Sequence, residues 1–276
     1  MTLHIRTITP NHVIYVSDRL IHTPTSYIEL ANDRYKHLIL ICDDARVVTS
    51  FAGIAGVIVP SKKAASELKD GTIDWITEVF QETSKKHHRI EQHLNDLRDQ
   101  VQNHIDFLRN QHNLSSDSVR LAIQISGWIR DIQFDCVIDN YLDTFCRAGP
   151  RRPSFTTRHR TYEDEKFEDG SEIFIVGREY LGGRLDYFCE QLSEVARRED
   201  PKEIFETSVE IIRAAAAGSN GQVGDNCSGV RISRNDPGIQ VFDARDESIW
   251  DTVMPNTVLS TSRISFSTMN MRGRKL

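Results

Sequence analysis

The chain opens with two short runs rich in apolar, β-branched and aromatic residues, "LHIRTI" and "HVIYVSD", separated by the link "TPNH". Proline and asparagine favour turns, so the two runs predict a β-hairpin. A second pair follows as "YKHLILIC" and "VVTSFAG" around the turn "DDAR". Its "HLILI" segment is apolar at consecutive positions, as expected of a strand covered on both faces. Two glycines close the pair in "FAGIAG", where backbone must turn or approach something closely.

The period changes beyond Pro60. From Asp74 to about Gln111 the chain is almost free of glycine and proline, and its apolar positions fall three and four apart. Trp75, Ile76, Val79 and Phe80 mark one stripe; Ile90, Leu94, Leu97, Val101, Ile105 and Leu108 mark a second. These predict two helices joined near "SKKHH", with Thr72 as N-cap of the first. Strands return as "RLAIQISGWI" and "FDCVIDNYL". The stretch "CRAGPRRPSFTTRHRTYEDEKFEDGS" carries proline, glycine and dense charge of both signs, and reads as a long exposed loop over 145–170. "EIFIVG" predicts a strand, and "GGRLDYFCEQLSEVARR" a helix turning Leu185, Phe188, Leu192 and Val195 inward. A second helix follows, with Asp200 as N-cap, Pro201 at its first position and Gly218 at its end. "CSGVRISR" and "GIQVFDA" are the last clear strands. Strands, two helices, strands, two helices and strands, in that order, predict an α+β sandwich of antiparallel sheet with helix pairs on its outer faces.

Composition narrows the function classes. The 276 residues can bury one sizeable core, and 39% hydrophobic with 27% charged residues is ordinary for a folded soluble chain. The formal charge of −6 gives no basic field for nucleic acid, and no apolar run reaches membrane-spanning or signal-peptide length. Five widely spaced cysteines without a CxxC pair read as reduced thiols, so the expected compartment is the cytoplasm. Histidines 87, 88, 93, 104 and 112 show no spacing that would complete a metal site and are expected on exposed helix positions. No glycine run has phosphate-loop spacing. The expectation is therefore no metal, no cofactor, no nucleic acid and no membrane.

Thr2 is followed sixteen positions later by Asp18, at the end of the second run. With "SFAGIAG", "AIQISGWI…FDCVID" and "AAAAGSNGQVGDNCSGVRI", in that order, "MTLHIRTITPNHVIYVSDR" resembles the proteasome-type N-terminal-nucleophile hydrolases, in particular bacterial β-subunit-like members that begin with Met-Thr. The resemblance covers about residues 2–245, with 145–170 as an exposed loop insertion and 246–276 as a C-terminal extension that docks a partner or is flexible. It implies a four-layer αββα sandwich of two antiparallel sheets flanked by helix pairs. It also implies a ring-forming homo-oligomer that hydrolyses peptides; any unfoldase or adaptor stays open.

The same resemblance implies site residues. Removal of Met1 would free the Thr2 α-amine, whose ordinary pKa near about 8 suits a general base for its own hydroxyl. Asp18 would orient Lys36, whose cationic side chain would favour the deprotonated nucleophile. The Gly53 N–H would contribute to an oxyanion hole. Strict counting from the family puts Arg34 at the lysine position, and counting back from the following strand puts His37 there, so all three remain candidates. The family's later glycine–serine pair is represented by Gly177-Arg178, and its loop aspartate and serine by Asn220 and Val223. Two functions therefore stand side by side: a threonine peptidase, and a catalytically inactive subunit of the same fold with an assembly or interaction role.

Overall fold

The computed structural model describes residues 3–22, 29–31, 35–53, 72–112, 121–141, 151–161, 171–235, 239–245, 248–251, 258–260 and 274–275. They gather into two compact units. One holds residues up to 37 with those from 171 to 251 and 274–275; the other holds 38 to 161 with 258–260.

The first unit is built on the predicted hairpin, β1 (His4–Ile8) and β2 (His12–Asp18), paired antiparallel with His4 opposite Ser17. A short two-stranded ribbon follows, β3 (Ile21–His22) with β4 (Glu29–Ala31). The hairpin lies within a seven-stranded sheet that also takes β10 (Glu172–Val176), β11 (Cys227–Ser233), β12 (Ile239–Arg245), β13 (Ser248–Asp251) and β15 (Arg274–Lys275). Helices α3 (Leu185–Arg197) and α4 (Pro201–Gly218) pack on it. Phe188, Leu192, Val195, Ile204, Phe205, Val209 and Ile212 meet Leu3, Ile5, Ile14 and Val16 of the sheet. Each large apolar side chain so buried contributes about 1.5–3 kcal/mol. Phe205 stacks on Phe242 at 4.5 Å, and a Cβ on Gly229 would come within 2.5 Å of the Phe205 ring. That close approach is why a glycine interrupts "CSGVRIS".

The second unit carries a six-stranded sheet. Its order is β14 (Val258–Ser260), β5 (His37–Ile41), β6 (Ala45–Gly53), β7 (Leu121–Ile129), β8 (Ile132–Tyr141) and β9 (Arg151–Thr161). β6–β7, β7–β8 and β8–β9 pair antiparallel, and β14 pairs parallel with β5. Helices α1 (Thr72–Thr83) and α2 (Ile90–His112) cover it with the two predicted stripes. Leu108 lies among side chains outside the described set. Among the described residues no helix is long and apolar enough to cross a membrane. The fold class is thus α+β, two largely antiparallel sheets each with a helix pair.

Three sequence expectations change. Residues 151–161, read as part of an exposed loop insertion over 145–170, form the edge strand β9; 145–150 and 162–170 lie outside the described residues. Proline and arginine are tolerated at a sheet edge, where one side of the backbone needs no ladder partner. Phe155 is buried, and its N–H donates to Gln102 Oε1 at 2.7 Å. Arg158 pairs with the buried Asp139. The extension from 246 contributes β13, β14 and β15 to the two sheets. His93 is not an exposed helix residue: it is buried, 2.7 Å from Thr83 Oγ1, and burial lowers its pKa to about 4.

Candidate active site

Asp18 closes β2, and the antiparallel register carries Leu3 to it. The Asp18 N–H donates to the Leu3 carbonyl at 3.1 Å, and the Leu3 N–H returns to Asp18 Oδ1 at 3.0 Å. β11 runs along the other side, with Cys227 opposite Asp18. The carboxylate is therefore fixed between two strands rather than hung on a loop. Lys36, just before β5, donates from Nζ to the same Asp18 Oδ1 at 3.0 Å and to the Leu20 carbonyl at 2.9 Å. Both side chains are fully buried.

The second carboxylate oxygen takes a backbone donor. The chain after α4 turns through Asn220 (φ 51°) and Gly221 (φ 80°), and Ser219 Oγ accepts the Val223 N–H at 3.0 Å. This delivers the Gly224 N–H to Asp18 Oδ2 at 3.3 Å. A Cβ on Gly224 would stand 2.8 Å from the Leu20 Cβ, so the approach requires a glycine. Among the described residues, Asp18 thus gathers two backbone N–H groups and one ammonium.

Electrostatics follow from burial. Desolvation lowers the Lys36 pKa from its ordinary 10.5, against the opposing pull of Asp18. Burial, aided by Asp18, pushes the Cys227 thiol well up, so it is a neutral wall of the site and not a nucleophile. His37 Nε2 lies 3.0 Å from Ser17 Oγ and 3.3 Å from the Ser228 carbonyl. A carbonyl can only accept, so Nε2 is assigned the proton. Burial holds the His37 pKa down at about 3, and the ring is neutral at physiological pH. His37 stands in a ring cluster with His4 and Tyr15, 5.8 and 6.1 Å away between centroids.

The remaining expected residues divide. Thr2 and Arg34 lie outside the described residues. Of the other two candidates for the basic position, Lys36 meets Asp18 and His37 meets Ser17. Gly53 ends β6 in the second unit, opposite Leu121, with φ 108°. Gly177 is buried with φ 82° ahead of a short 3-10 turn, and Arg178 stands exposed on that turn. Neither is among the groups that hydrogen-bond Asp18. Asn220 is a turn residue with left-handed backbone, and Val223 is buried in the apolar core under α4. Gly224 escaped sequence reasoning because it acts through its N–H, which no side-chain pattern encodes. Arg19, Tyr35 and Asp243 were missed as well: Asp243 lies 224 residues from the Arg19 it pairs with at 2.8 Å.

Comparison with solved structures places this arrangement in a known fold. The chain superposes on a Gly-1 mutant of Anbu from Hyphomicrobium sp. strain MC1 with a TM-score of 0.51 and 14% identity, covering 90% of this chain and 89% of that one. It is also similar to Anbu, described as an ancestral β-subunit, from Yersinia bercovieri, at TM-score 0.49 and 12% identity over 84% and 82% of the two chains. Thiobacillus denitrificans BPH in complex with epoxomicin matches at TM-score 0.34 and 11% identity over 86% and 100%. No family model matches the chain, and no curated protein matches it. The first likeness shows a proteasome-type fold and, at that identity, the fold alone.

Proposed function

We propose that the protein is a proteasome-like threonine peptidase, an amide hydrolase of the N-terminal-nucleophile class working as an assembly of copies of itself. The observation that carries this reading is Asp18 Oδ1, which takes both the Lys36 ammonium and the N–H of Leu3, the residue covalently joined to Thr2. With Met1 removed, Thr2 Oγ attacks the amide carbonyl carbon while its own α-amine takes the hydroxyl proton. The C–N bond breaks as that proton passes to the leaving amine. Water then cleaves the ester and restores Thr2. Lys36, held by Asp18 and out of water, is the cationic group that favours the deprotonated nucleophile.

A second reading, a catalytically inactive subunit of this fold, is favoured by one observation. Two positions where the family carries polar loop and strand side chains here hold the buried Val223 and the exposed Arg178.

Intact mass and covalent labelling separate the two. Mature chain beginning at Thr2 is expected to form an ester or stable adduct with a threonine-directed peptide electrophile, and Thr2→Val is expected to form none. Lys36→Ala should slow labelling about a hundredfold, about 3 kcal/mol in the barrier. Retained Met1, or mature wild-type chain that takes up no label, leaves the inactive-subunit reading standing. Self-assembly is tested by sedimentation at micromolar concentration, where a 31.6 kDa monomer would count against both ring readings.

A further inference from the structure

Three side-chain pairs follow one another where the end of β2 meets the chain entering β5. His37 lies 3.0 Å from Ser17 Oγ, Lys36 donates to Asp18 at 3.0 Å, and the Arg19 guanidinium sits 4.2 Å over the Tyr35 ring. The partners run in opposite directions, 17–18–19 against 37–36–35, so Lys36–Asp18 is the middle rung of a side-chain ladder. Both outer rungs are tied into the sheet. His37 reaches the Ser228 carbonyl on β11. Arg19 and Tyr35 share the Asp243 carboxylate on β12, Arg19 Nη1 donating to Oδ1 at 2.8 Å and the Tyr35 hydroxyl to Oδ2 at 3.2 Å. Ser17, Ser228 and Asp243 are register partners on β2, β11 and β12, so the anchors lie in one row across three adjacent strands.

Tyr35 and Lys36 belong to no strand or helix. The Lys36 ammonium must nonetheless stay on two acceptors at the end of a side chain carrying about 2 kcal/mol of rotamer entropy. The side chains around it contribute to that work. Asp243 is the node, because one carboxylate joins residues 19 and 35. Arg19 supplies the buried counter-charge, and its planar guanidinium stacks on the aromatic ring at the same time.

We propose that Tyr35 and Asp243, acting through Arg19, are positioning residues that hold segment 35–36 so that the Lys36 ammonium stays on Asp18 Oδ1 and the Leu20 carbonyl. The proposal rests on the role given to Lys36 above, and its test can fail independently of that role.

The test follows the Lys36 ammonium by NMR in 15N-lysine-labelled protein, its signal assigned with Lys36→Met. Tyr35→Phe keeps the ring over Arg19 and removes one bond to a charged acceptor, so proton exchange at Lys36 should quicken about tenfold. Asp243→Asn should quicken it more. Ser126→Ala is the control: it deletes a 2.6 Å bond to Asp135 in the other unit and should leave Lys36 exchange as in wild type. Exchange within twofold of wild type in Tyr35→Phe, or an equal rise in Ser126→Ala, overturns the proposal. If Asp243→Asn does not fold, Tyr35→Phe decides. Covalent labelling adds a second readout: Tyr35→Phe should lower the maximal rate about tenfold and leave its dependence on electrophile concentration unchanged. Wild-type protein that takes up no label removes the hydrolase reading, and the exchange measurement still decides the ladder.

Discussion

Gly224 bears two loads at once, a bond to Asp18 and a close approach to Leu20, whose carbonyl in turn holds Lys36. Adding one methyl group there tests both. In Gly224→Ala the new Cβ meets the Leu20 Cβ, an atom fixed to the backbone that cannot swing aside. The 219–226 loop must retreat, and Asp18 Oδ2 loses its N–H donor. Overpacking of this kind costs about 1–3 kcal/mol. The urea midpoint should fall accordingly, and any Thr2 labelling should slow with it. Gly183, with open space where its Cβ would stand and no left-handed backbone, is the matched control. Gly183→Ala should stay within about 0.5 kcal/mol of wild type. Equal behaviour of the two variants would mean that the loop's grip on Asp18 adds nothing to stability.

Helix α4 carries the largest share of the first unit's core, and its start is the simplest element to test. Asp200 caps it, the side chain accepting from the Lys202 and Glu203 N–H groups at 2.9 and 3.2 Å, with Pro201 at the first helical position. Asp200→Ala should cost about 1 kcal/mol, and Asp200→Asn much less, by urea denaturation. This cap was legible in the sequence because its signal is local: a cap residue, a proline and an apolar period in one stretch. The helix stripes and the first hairpin were legible for the same reason. β9 was not, because its strand character depends on a neighbour. "RRPSFTTRHRT" is unremarkable until Asp139 receives Arg158 and α2 receives Phe155. The site divides along the same line. Spacing and family resemblance pointed to Asp18 with three basic candidates, of which the structure pairs Lys36. The donors from Gly224 and the node at Asp243 come from distant parts of the chain, which no local pattern joins.

At the scale of the whole molecule, burial of imidazoles couples stability to pH. His4 is fully buried, neither ring nitrogen has a partner among the described residues, and its pKa is held well below 6.5, chiefly by desolvation. His37 is held at about 3 and His93 at about 4, again chiefly by burial. All three are neutral in both folded and unfolded chain above pH 6.5, so they leave stability flat there. As pH falls below 6.5 the unfolded chain takes up protons that the folded chain refuses, and stability is lost. His37 and His93 each contribute a slope of about 1.4 kcal/mol per pH unit, continuing to about pH 3 and about pH 4, and His4 acts with the same sign. Lys36, lowered from 10.5, works with the same sign over a window ending at that value, so the slope is assigned by difference between variants. His4→Phe removes one such proton and replaces an unpartnered buried imidazole beside Tyr15 with an apolar ring. Loss of a polar group that has no partner is neutral or stabilising. At pH 7.5 the urea midpoint should therefore hold or rise. As pH falls below 6.5 the loss of stability should be shallower than in wild type. An unchanged acid slope would show that His4 accepts its proton in the folded protein, and a fallen midpoint at pH 7.5 would show that its nitrogens are partnered after all.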